Sequence, residues 1–151
     1  MENGLKVRDI AGWLETWAPK ALAESYDNVG LLVGHPGDEV TRVLVSLDCT
    51  EEVAKEAEDA GCQMIVSHHP VIFGGLKRLQ GVSDVERTVM RAVRSNIALY
   101  AIHTNLDNVL TGVNHKLAEL VGCVPASLQI LRPMVTGLAV SYTHLTLPTS
   151  Y

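Results

Sequence analysis

Cysteine is scarce in this chain: three in 151 residues, Cys49, Cys62 and Cys123, far apart and without a C-x-x-C pair. An odd, scattered set excludes a disulfide framework and a thiolate zinc cluster, and it suits a reducing, cytoplasmic setting. Long apolar runs are missing as well. The opening MENGLKVRDIAGWLE carries no apolar signal core, and nothing approaches the roughly twenty residues that a membrane helix needs. Basic runs are absent too. The net charge is -5, the twelve Lys and Arg are thinly spread, and only Lys77-Arg78 and Arg87, Arg91, Arg94 form local groups. That distribution argues against nucleic acid and membrane as partners. Nucleotide and acyl-transfer signatures are missing: no G-x-x-x-x-G-K-[ST] loop, no G-x-G-x-x-G fingerprint, no G-x-S-x-G elbow.

What is present is an alternating pattern. Apolar residues make up 47% of the chain and charged residues 19%, enough to bury the core of one domain. Val7, Ile10, Leu14 and Trp17 recur at three- and four-residue spacing and predict a first helix over about Lys6–Trp17, closed by Pro19. DNVGLLVGHPGD reads as a short strand between turn formers, with Asp27 and Asn28 as turn residues. RVLVSLD is an apolar strand, and TEEVAKEAEDAG is a helix with Thr50 as N-cap, two acids in its first turn and Gly61 as its stop. QMIVS is a second buried strand. SDVERTVMRAVRS opens on a capping box, Ser83 to Glu86, and offers Val85, Val89, Met90 and Val93 to the core. IALYAIH is a third strand, TGVNHKLAELVG a helix ending at Gly122, and ASLQIL a further strand. Apolar strands alternating with helices predict an α/β fold: a mostly parallel sheet with helices on both faces.

The polar residues fall where such a sheet binds ligands, beyond the carboxyl ends of its strands. Asp48 follows the first apolar strand, Ser67-His68-His69 the second, and His103 with Asp107 the third. On a strand, adjacent side chains would point to opposite faces. Past the strand end the pleat no longer holds, and Pro70 keeps His69 extended or in a turn, so the two imidazoles can converge on one site or each hold one of two adjacent ions. Imidazole and carboxylate donors suit zinc, iron, manganese or nickel, and an aspartate between two ions can bridge them. His68, His69 and Asp107 are the expected metal ligands. His103 stands as a ligand, an orienting group, a cap neighbour or a proton carrier, and Asp48 as a second proton carrier or a turn residue. His35 and His115 read as solvated, and Cys49, with no base beside it, as a small buried residue.

These stretches together resemble the Nif-three-like family, whose bacterial members carry the label GTP cyclohydrolase I type-2 homologue. ESYDNVGLLVG, VLVSLDCTEEVAKEA, IVSHHPVIF and LYAIHTNLDNVLTGVNHKLAELVG occur in family order over about residues 5–130. The resemblance implies two divalent metal ions held at His68, His69 and Asp107, and assembly into a toroidal homohexamer. It also implies a further histidine and glutamate from a C-terminal portion, for which this chain has no matching motif. The recognised part is therefore expected to be an N-terminal metal-binding portion, residues 1–138, of a longer protein with a second α/β half. Residues 139–151, with VSYTHLTLPTSY, read as a non-native tail of the translated-adapter kind, the alternative being a Thr-rich edge strand; His144 is not expected to be a ligand. Such a half would expose an apolar sheet edge and could be inactive. Two functions follow: a metal-dependent hydrolase acting on a nucleotide-like, phosphorylated or cyclic-amidine small molecule, or a non-catalytic metal-binding interaction and regulatory protein. A metallophosphoesterase-like fold is disfavoured, because its D-x-H and G-D motifs are missing.

Overall fold

The computed structural model describes residues 4–123, 132–135 and 139–141. Four strands form one sheet in the order β1-β4-β3-β2: β1 Gly30–Val33, β2 Val43–Ser46, β3 Met64–Ser67 and β4 Ala98–Ala101. Strands β2, β3 and β4 run parallel in unbroken register, Val45 opposite Val66 and Val66 opposite Tyr100. Strand β1 lies antiparallel against β4 at one edge. The sheet is thus mostly parallel, and β3 and β4 are buried along their whole length.

Helices cover both faces. Helix α1 (Val7–Trp17) lays Val7 and Leu14 against Met64, Val66 and Tyr100. On the other face, α2 (Glu51–Asp59) and α3 (Asp84–Arg94) pack Ala54, Ala57 and Ala92 against Ile65 and Leu99. The caps form where the sequence predicts them. Thr50 accepts from the Val53 N–H at 3.3 Å and Ser83 from the Glu86 N–H at 3.2 Å. The Glu86 carboxylate, however, accepts from Gln80 and Val82 at 2.9 and 3.1 Å, pinning the preceding loop instead of closing a reciprocal box. The core face of α3 also differs from expectation. Thr88, Val89 and Ala92 are the buried residues, and Val93 is 56% exposed because it lies on the outward side of the same helix. Arg87 and Arg91 turn to the acids of α2, with Glu51 and Glu58 each at 3.0 Å.

After β4 the chain makes a one-turn helix, α4 (Thr104–Asp107), where the sequence predicts only a strand end. Helix α5 (Val113–Leu120) follows. Gly112, at the start of α5, sits so tightly under α4 that a Cβ there would overlap the Leu106 carbonyl oxygen. A short antiparallel pair, β5 (Arg132–Val135) and β6 (Ala139–Ser141), forms a separate two-stranded sheet. The expected strand over 126–131 and the stretch 142–151, with His144, lie outside the described residues. No helix among the described residues is long and apolar enough to cross a membrane. Strand β2 pairs only with β3 among the described residues, and its Val43, Val45 and the following Leu47 are exposed.

Candidate metal centre

The strand pairing that builds the sheet also delivers the site. Beyond the formal strand ends, the His68 and His69 N–H groups donate to the Ser46 and Leu47 carbonyls, and the Ile102 N–H donates to Ser67. The ladder therefore carries Asp48, the histidine pair and His103 out at the same edge. There the Ser67 hydroxyl donates to the His69 carbonyl at 2.9 Å and tightens the turn. The two adjacent imidazoles converge, with ring centroids 5.1 Å apart. His103 completes a triangle, 5.2 Å from His68 and 5.4 Å from His69. Each ring can present a nitrogen within 4.8 Å of the others.

Every one of these rings is anchored through Nδ1. His68 Nδ1 meets the Ile102 carbonyl at 2.9 Å, His69 Nδ1 the Asp48 carboxylate at 2.7 Å, and His103 Nδ1 the Asp27 carboxylate at 3.0 Å. A carbonyl or carboxylate can only accept, so the proton of each neutral ring sits on Nδ1 and the Nε2 lone pair stays free. Outer partners of this kind fix tautomer and orientation in metal-binding histidines. One contact points the same way. His68 Nε2 and Asp107 Oδ1 face each other at 3.6 Å. A cation bound between the nitrogen and the carboxylate oxygen would be attracted to both. The donor set of imidazole and carboxylate therefore fits a hard-to-borderline divalent ion.

The structure brings His68, His69, His103 and Asp107 to one place, with Asp48 behind His69. Asp107 reaches it because α4 spends one helical turn between His103 and Asp107 and returns the carboxylate toward His68. His35 lies exposed elsewhere, and His115 pairs with Glu119 at 3.3 Å. Asp27 corrects the sequence reading. It is no simple turn residue: its side chain has no exposed surface, and it accepts from His103, from the Thr104 N–H at 3.1 Å and from the Thr104 hydroxyl. Burial works to raise its carboxyl, but hydrogen bonds from Thr104, His103 and Asn28 outweigh that and hold it below the ordinary carboxylate range. The missed signal was the direction of β1. An antiparallel edge strand begins where its parallel neighbours end, which brings the residues preceding Gly30 to the site. Cys49 is buried, and burial pushes its thiol up to about 11, so it is no nucleophile at neutral pH.

Comparison with known proteins follows the same lines. The family model Duf34/NIF3 (NGG1p interacting factor 3) matches residues 5–142. A GTP cyclohydrolase 1 type 2 homolog of Clostridium perfringens is 40% identical over 118 residues, covering 78% of this chain and 45% of its own length. A protein of the same description from Staphylococcus aureus (strain COL) is 43% identical over 118 residues, covering 78% of this chain and 32% of its own. Among solved structures, a Bacillus cereus protein related to NIF3 superposes with a TM-score of 0.81 at 36% identity, over 87% of this chain and 36% of that one. Reduced HcgD from Methanocaldococcus jannaschii gives 0.78 at 31%, over 86% and 51%. The chain thus spans less than half the length of the curated relatives it matches.

Proposed function

Because this chain belongs to the Duf34/NIF3 family, we propose that His68, His69, His103 and Asp107 hold two divalent ions, zinc, iron or manganese, and that the site serves hydrolysis of a small molecule. The observation that carries the reading is the shared Nδ1 anchoring of three converging imidazoles. With Nδ1 of each ring engaged, Nε2 is the atom each of the three can offer to an ion. Asp107 would add a carboxylate oxygen beside His68, and Asp48 and Asp27 are the orienting carboxylates behind His69 and His103. When bound, such ions supply Lewis acidity for hydrolytic attack. The chain's own part is to hold the donors, to keep each ring in one tautomer, and to move a proton. For that last step Asp48, exposed beside His69, is the group best reached from solvent. The substrate class expected is nucleotide-like, phosphorylated or cyclic-amidine, in keeping with the label of the relatives.

A second reading is favoured by the family description, which names an interacting factor: a metal-binding regulatory protein without turnover. A homohexamer in the cytoplasm belongs to either reading. The two separate in one assay. Protein loaded with zinc, manganese or iron is offered GTP and a panel of phosphoesters. Hydrolysis that falls about a hundredfold in Asp48→Asn, whose amide oxygen can still accept from His69 Nδ1 and so keep the metal content, supports the hydrolase. No turnover from a loaded centre supports the interaction protein.

A further inference from the structure

Two aromatic rings stand in solvent at the rim of the histidine cluster. Tyr26 is 65% exposed, and Phe73, the chain's one phenylalanine, is 53% exposed. Their centroids lie 6.3 Å apart at 46°, and Phe73 meets His103 edge-on at 6.5 Å. The chain does not leave them there loosely. Tyr26 directly precedes Asp27, which His103 and Thr104 clamp. Asn28 donates from Nδ2 to the carbonyl of Ile72, the residue before Phe73, at 2.6 Å. Both loops are thus tied to each other and to the histidine cluster before any ligand arrives. An exposed aromatic surface held in place is what stacking on a planar ring requires, since the ordering cost is already met.

We propose that Tyr26 and Phe73 form a stacking corner for a planar heteroaromatic ring, such as a purine, joined to an anionic group that faces the histidines. The second half of that statement rests on the metal-centre reading. At 6.3 Å and 46° the two rings leave no slot between them, so the ligand ring lies against their outer faces. Selectivity then comes from the ring itself, while the anionic end is shared by many phosphates.

The test uses the whole 151-residue chain with GMP and ribose 5-phosphate, which share a phosphate and differ by the base. Calorimetry is expected to show GMP binding about tenfold more tightly, the scale of one base stacked on an aromatic side chain. Tyr26→Ala and Phe73→Ala each remove most of that preference, leave ribose 5-phosphate binding unchanged, and keep the circular dichroism of the parent. Phe73→Trp retains the preference. Equal binding of the two probes, binding of neither, or an undiminished preference in both alanine variants overturns the inference. Elemental analysis of the same samples keeps the two readings apart. A chain that holds metal but ignores the base loses the stacking corner alone. A chain without metal that still discriminates the base keeps the corner and loses the metal centre.

Discussion

Asp27 has no exposed side-chain surface, yet it stays charged because His103, Thr104 and Asn28 all donate to it. A buried carboxylate without such partners would neutralise instead. In exchange it fixes His103, whose ring would otherwise be free to turn about its side-chain bonds. The sequence around it, DNVG, reads as a turn, and no local pattern could say otherwise, because the partners are 76 and 77 residues away. His68 and His69 were legible for the opposite reason: an adjacent pair at a strand end is itself anomalous. Cys49 belongs to this scale too. With its thiol held near 11 by burial, the thiolate that reacts is a minor species at pH 8 and grows only as pH rises further. Iodoacetamide should label Cys49 in the native chain roughly a hundredfold more slowly than in urea, as peptide mass spectrometry can read. Equal rates at pH 8 would remove the buried assignment.

At the scale of elements, the strands and the starts of α2 and α3 were legible because their signals are local: apolar runs, Thr50, Ser83 and the following acids. Two features were not. The direction of β1 is decided by how four short strands share one core, and four residues of sequence carry no arrow. Helix α4 is only one turn long, too short for apolar periodicity to register. Yet it is the element that returns Asp107 to His68. Its seat depends on Gly112, where a methyl group would run into the Leu106 carbonyl. Gly112→Ala is therefore expected to cost about 1–3 kcal/mol, seen as a fall of several degrees in Tm, and to weaken metal retention by moving α4. Gly12→Ala, on the exposed side of α1 with nothing within 4 Å of the new methyl, should raise stability by roughly 0.5–1 kcal/mol. Equal melting of the two variants would refute the tight seat.

At the scale of the whole molecule, the sheet is covered on both faces through β3 and β4 but not along β2. Val45 is 78% exposed and Leu47 62%, on a strand whose outer edge has no partner among the described residues. An apolar strip on a free edge invites pairing with another chain. Light scattering should find the chain self-associating at micromolar concentration, and Val45→Lys should markedly reduce that association; a variant that associates as strongly as the parent would show the edge to be inert. The architecture itself was readable from the alternation of elements, whereas the assembly depends on surfaces that composition does not mark. The histidine cluster remains the centre of the functional reading, and metal content measures it most directly. Elemental analysis of purified, unchelated protein should find about two divalent ions per chain, lost in His68→Ala/His69→Ala with secondary structure intact. Background metal in the parent, or as much metal in the double variant as in the parent, would contradict a metal centre at these residues.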